Sequence, residues 1–294
     1  MILVAGAVSL SLMAQEKKEP APETKQPDKY VCITFDIVPG ERVYEREERK
    51  WINQEILSAL ESHEAKAAGF VVGDNIESGW DILADWLQAG HILGSMTYTG
   101  QDVTGVPVEI FIDDIARGDE TLEDLLVSFK QKERYFRFPY LHYGQRPEIR
   151  LRIEQFLHDR DIKIAHSSVV TEDFVFNLSL EKNLNSQDSL TFIQLGTEYI
   201  SHVMARLEDA ESLAVDIMGR PIKQIVELRS NRLNGLFLDD LLTVLHDEGY
   251  DFVSLDEALK DRVYRKTDAY YGWKVISFLE RIIYSDPDLI PAGE

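Results

Sequence analysis

Apolar residues along the chain follow two alternating rhythms. Short β-rich runs occur at 31–36, 69–72, 91–95, 135–138, 162–170, 224–229 and 252–255, and between them apolar positions recur at helical spacing over 48–60, 80–88, 110–130, 147–158, 199–216 and 236–247. Strands separated by helices predict right-handed crossovers and a mostly parallel sheet. Seven such strands predict an α/β fold, a distorted (β/α)7 TIM-like barrel that need not close, in preference to an open sheet. Pro147 sits where the first turn of a helix tolerates proline, and Gly249 where a helix C-terminus favours glycine. No internal repeat and no second linker interrupt the pattern, so one domain fills residues 30–294.

The chain begins differently. Residues 1–14 (MILVAGAVSLSLMA) are apolar, end in small residues and are too short to span a bilayer as a helix. They read as the apolar region of a secretory signal cleaved near Ala14-Gln15, although no Lys or Arg precedes them. Residues 15–29 (QEKKEPAPETKQPDK) follow as a charged, proline-containing tether with nothing to bury. The expectation is an exported domain, periplasmic or extracellular, with no membrane insertion after cleavage.

Charge narrows the partners. The formal net charge of −21, from 52 acidic and 31 basic residues, would repel a phosphate backbone and an anionic membrane surface. Nucleic acid is therefore excluded as a partner, and a glycan or a protein remains. The single cysteine, Cys32, lies in the apolar run 30–35 and cannot form an internal disulfide.

In a barrel of parallel strands the functional side chains belong at the C-terminal strand ends. Those ends read Thr34-Phe35-Asp36-Ile37, then Gly90-His91-Ile92-Leu93-Gly94-Ser95-Met96-Thr97-Tyr98-Thr99-Gly100. Later ends read Arg137-Phe138-Pro139-Tyr140, Thr171-Glu172-Asp173 and Leu228-Arg229. In this order the segments resemble the five motifs of the polysaccharide deacetylases, carbohydrate esterase family 4. The family's first motif is Thr-Phe-Asp-Asp, its second Gly-His-x-x-Gly-Asn-His-Thr-x-x-His, its third carries Arg-x-Pro-Tyr, and its fifth a Leu-His. The likeness runs from about Tyr30 to Tyr271.

The resemblance implies a metal-dependent hydrolase of acetylated polysaccharide. Family members hold zinc or another divalent metal through one Asp and two His; the metal polarises the acetamide carbonyl and activates a water. A second Asp takes the proton and a His protonates the departing amine. Carried over by position, Asp36 matches the base, while the metal-ligand Asp is Ile37 and the two ligand histidines are Met96 and Gly100. Arg229 stands where the acid His would be. Arg137, Pro139, Tyr140 and Asp173, the supporting residues, are retained.

Ile and Gly offer no donor side chain, a thioether is a poor zinc ligand, and Arg cannot cycle a proton near neutral pH. The implied site is thus expected to be lost, with no cofactor, leaving a pseudoenzyme that binds a glycan or a partner. The alternative is an active hydrolase using a metal site rebuilt from residues such as His91, His142, His166 and Asp102. Arg229 is expected to pair with Asp36 or Asp173 as a counter-charge for the missing metal, or else to face solvent. Aromatic residues Tyr264, Tyr270, Tyr271, Trp273, Phe278 and Tyr284 gather near the C-terminus, where packing on the barrel is favoured over lining a cleft.

Overall fold

The computed structural model describes residues 29–41, 43–183 and 189–285. The signal segment 1–14 and the tether, apart from Lys29, lie outside these residues. Among the described residues no helix is long and apolar enough to cross a membrane.

Strand and helix alternate through β1 (Lys29–Val38), α1 (Arg46–Ser62), β2 (Ala68–Val71), α2 (Ile76–Gln88), β3 (Ile92–Ser95), α3 (Val108–Ser128), β4 (Arg134–Phe136), α4 (Pro147–Asp159) and β5 (Ile162–Ile164). Then come β6 (Val169–Val170), α5 (Asp173–Asn183), α6 (Ser189–Met218), β7 (Lys223–Arg229), α7 (Arg232–Asp247), β8 (Tyr250–Phe252), α8 (Leu255–Leu259) and α9 (Phe278–Ser285). All pairings are parallel, in the order β5-β4-β3-β2-β1-β7-β6, with β8 beside the start of β1. The sheet curls into a distorted (β/α)7 barrel of the deacetylase type, as the alternation predicts.

β1 is the axis of this sheet. Its Val31, Cys32, Ile33 and Phe35 are fully buried, and Phe35 meets Trp86 of α2 edge-on at 5.5 Å. Burial of such apolar side chains, about 25 cal/mol per Å2, supplies most of the stabilisation. Successive strand residues face opposite ways, so Phe35 packs outward under the helices while Thr34 and Asp36 face the barrel interior with Arg137.

The run 162–170, expected as one strand, is two. β5 pairs with β4 and β6 with β7, on opposite lips of a seam. The four residues between them stitch it: Ala165 N donates to Phe136 O (2.8 Å) and Ser168 N donates to Ile225 O (3.0 Å). One continuous strand would have to pair with both lips at once, which a barrel this open does not allow. Helix α6 is also longer than the expected 199–216, and the last expected strand ends at Phe252 because Ser254 caps α8.

Candidate functional site

The ends of β1 and β7 build the floor. Their parallel register sets Asp36 beside Arg229 and Thr34 beside Glu227, and side chains paired in this way share a face. Thr34, Asp36, Glu227 and Arg229 are therefore neighbours on the interior side.

Arg137, from the end of β4, is the buried brace. It is fully buried and donates to Thr34 Oγ1 (2.8 Å), Asp36 Oδ1 (3.0 Å) and Ala165 O (3.1 Å), with its guanidinium 4.2 Å from the Phe70 ring centre. Burial pushes Asp36 above the usual carboxylate range, while the Arg137 and Arg229 charges pull it back. Asp173, at the start of α5, latches β7 to α7: it accepts from Arg229 N (2.8 Å), Asn231 Nδ2 (3.2 Å) and Asn234 Nδ2 (2.6 Å). Its other oxygen, Oδ1, is buried without a hydrogen bond.

Arg229 points to neither solvent nor Asp36. Its Nε lies 3.7 Å from Glu227 Oε1 and 4.0 Å from Asp173 Oδ1, and its guanidinium stands 4.7 Å from the Phe174 ring centre. Burial opposes its charge, but Glu227, Asp173, Asp36 and Glu41 together hold its pKa above the ordinary arginine value. Asp36 finds its counter-ion in Arg137 instead.

The loop after β3 is pinned by α3. Tyr98 N donates to Asp114 O (2.9 Å), Thr99 Oγ1 to Asp114 Oδ2 (2.8 Å) and Gly100 N to Thr97 Oγ1 (2.9 Å). Gly118 of α3 permits this approach, since a Cβ there would meet Thr97 C at 2.4 Å. Several residues on the rim hold left-handed backbone: Ile37 (φ 58°), Thr97 (60°), Tyr140 (56°), Leu141 (52°) and Glu172 (51°). For a β-branched residue such as Ile37 this conformation is strained, and such strain clusters at binding and catalytic sites.

These elements enclose a cavity of about 360 Å3. Ile37, Val72, Met96, Leu141, Val170 and Val275 are its apolar walls. Asp36, Glu227 and Arg229 line it as well, and Tyr140, 53% exposed, stands with Pro139, Phe174 and Gly100 among the lining residues. Ile37, Met96 and Gly100, the residues expected at the metal-ligand positions, line one cavity with Asp36.

The side chains present there do not fit a divalent metal. Ile37, Met96 and Gly100 present hydrocarbon, a thioether and bare backbone in place of hard or borderline donors, and the carboxylate beside them, Asp36, is committed to Arg137. Among the described residues no group of three or more His, Cys, Asp or Glu is placed to hold an ion. The histidines considered for a rebuilt site are scattered. His91 accepts from Ala67 N (3.2 Å) and packs edge-on to Trp86, its pKa lowered to about 4 by burial and by Lys66. His142 pairs with Asp102 Oδ2 (2.8 Å), outside the cavity lining. His166 stacks on Phe278 (3.9 Å) and bonds to Tyr143 Oη (2.9 Å), its pKa lowered to about 3, chiefly by burial.

A model of the polysaccharide deacetylase family matches residues 23–152. Residues 23–152 thus carry a polysaccharide deacetylase domain match, a little under half of the chain. Solved structures of similar fold include a pseudoenzyme of carbohydrate esterase family 4 from Bacillus anthracis, 18% identical over 79% of this chain and 66% of that one, with TM-score 0.57. A polysaccharide deacetylase from Bacillus cereus is 15% identical over 77% and 91%, with TM-score 0.55. A peptidoglycan deacetylase from Bacillus subtilis is 18% identical over 81% and 95%, with TM-score 0.52. No curated protein sequence matches the chain. The deacetylase match covers the strand ends carrying Asp36, Met96, Gly100, Arg137 and Tyr140, whereas Asp173, Glu227 and Arg229 lie beyond it.

Sequence reasoning missed Glu227, Phe174 and Val275. Glu227 had a legible signal: it lies two residues before Arg229 on one strand and so shares its face. Val275 comes from an irregular segment after the barrel, which no local pattern places at the cavity. Of the C-terminal aromatics, Tyr264 and Phe278 are buried, Tyr270 packs against Tyr284 and Trp273 is exposed; none lines the cavity.

Proposed function

We propose that this chain is an exported, non-hydrolysing member of the deacetylase family that binds glycan in the cavity between its strand ends. The observation that carries the reading is the convergence of Ile37, Met96 and Gly100 on one cavity beside Asp36, with Arg229 in the same lining. Without an ion, Asp36 would have to act on water whose pKa is roughly 15.7. Arg229, always protonated, could not hand a proton to a departing amine. What supports a glycan as ligand is the make-up of the cavity: apolar walls, an exposed Tyr140 and polar groups on the floor. The Bacillus anthracis relative is described as a pseudoenzyme, and a mutant of it as having restored enzymatic activity.

The test is metal content and acetate release on an acetylated oligosaccharide, together with the variant Ile37→Asp, Met96→His, Gly100→His, Arg229→His. The wild-type chain should bind no stoichiometric zinc and release no acetate, and the variant should gain zinc. Gly100 has φ +71° and its Cβ would lie 3.2 Å and 3.3 Å from the Val72 methyls, so Val72→Ala belongs in the same variant. Stoichiometric zinc with acetate release from the wild-type chain would overturn the reading.

A further inference from the structure

The cavity is one positive charge short. Three buried carboxyl groups, Asp36, Asp173 and Glu227, meet two guanidinium groups, Arg137 and Arg229. Asp36 is matched by Arg137, and Asp173 by three hydrogen bonds and the nearby Arg229. Glu227 has to share Arg229 with Asp173, at 3.7 Å and 4.0 Å, and has none of the hydrogen bonds that hold Asp173. It is only 4% exposed and lines the cavity, and among the described residues no hydrogen bond reaches its carboxyl oxygens and Arg229 is its one ion-pair neighbour. Two more carboxylates, Glu41 and Glu172, line the same cavity, and among the described residues Arg229 is the one basic residue in the lining.

A buried acid that shares its counter-ion and accepts no hydrogen bond is costly to charge. Glu227 meets that cost by keeping its proton: burial, then the Asp36 and Asp173 charges, raise its pKa to about 8, against the pull of Arg229 and Arg137. The group is poised to ionise as soon as a cation arrives, and its neighbours have no further positive charge to give.

Resting on the reading of the cavity as a glycan site, we propose that it selects a protonated primary amine, the free amino group of a de-N-acetylated hexosamine, seated against Glu227. The ring would lie between Ile37, Met96 and Leu141 while the ammonium supplies the missing charge. An acetylated sugar brings no charge and leaves Glu227 uncompensated. On binding, the neutral carboxyl and the ammonium become an ion pair, and the carboxyl proton is released to solvent.

The experiment is isothermal titration of the whole protein with a glucosamine tetramer and with its N-acetylated counterpart, near pH 6.5 at physiological salt, in two buffers of different ionisation enthalpy. The amino tetramer should bind at least about tenfold tighter, with about one proton released per site. Glu227→Gln, which cannot ionise, should abolish the proton release and bring the two ligands within about threefold. A lysine tetramer controls for simple attraction to the net charge of −21. Tighter or equal binding of the acetylated tetramer would overturn the amine preference and leave the glycan reading standing. So would a lysine tetramer that binds as well as the amino sugar, or a Glu227→Gln variant that keeps the preference. Binding of neither tetramer would overturn both.

Discussion

Replacing Glu227 tests the charge description through stability alone. In the folded chain its carboxyl titrates near 8, against an ordinary value of 4.5. A raised pKa means that the native state keeps a proton the unfolded state has already lost. The associated stability is therefore fully present below about pH 4.5 and disappears as pH rises toward about 8. Each pH unit in that window costs the folded state about 1.4 kcal/mol, about 5 kcal/mol if Glu227 titrated alone. Burial also raises Asp36 and Asp173, and the three share this field, so the part that belongs to Glu227 is about 2–4 kcal/mol. Glu227→Gln keeps the shape and removes the titration. Urea unfolding followed by circular dichroism from about pH 5 to about pH 9 should show the wild type losing stability and the variant losing about 2–4 kcal/mol less. A fixed offset at every pH would refute the buried-acid argument.

Two further outcomes follow from the same geometry. Asp36→Asn and Arg137→Met should each cost about 3–5 kcal/mol, because each leaves a buried charge unpaired, and the double variant should cost at least about 2 kcal/mol less than their sum; additive costs in urea unfolding would contradict the pairing at 3.0 Å. Gly118→Ala should cost about 3 kcal/mol and shift the amide resonances of 96–100, since its Cβ would press on Thr97 C at 2.4 Å and Thr97 O at 2.7 Å.

The parts of this architecture that local chemistry dictates are legible in the sequence. The run at 31–36 is apolar on every second residue and interrupted only by Thr34 and Asp36, so it reads as a buried strand with polar side chains on one face, which is what β1 is. Pro147 marks a helix start and Gly249 a helix end that the structure keeps. What sequence does not carry is pairing. Nothing in 162–170 says that its halves belong to different neighbours, because that depends on how far the sheet curls. Helix α5 escapes notice because Val175 and Leu178 are exposed, blurring any apolar stripe. At the site, Asp36, Ile37, Met96 and Gly100, which the structure brings to one cavity, stand at strand ends legible in the sequence. The choice of Arg137 over Arg229 as the partner of Asp36 needs distances.

The seam between β5 and β6 gives the C-terminus a duty its position conceals. Phe278 N donates to Ser167 O (2.7 Å) and its ring stacks on His166, so α9 is fastened over the stitch that joins the two lips. Arg281 reinforces it from below through Asp268 (3.0 Å) and Tyr270 O (3.1 Å). Unpaired strand margins invite pairing with another chain. Among the described elements α9 is synthesised after every strand, so the two margins stay uncovered until it is made. A chain cut before α9 would leave both margins of an otherwise paired sheet without this cover.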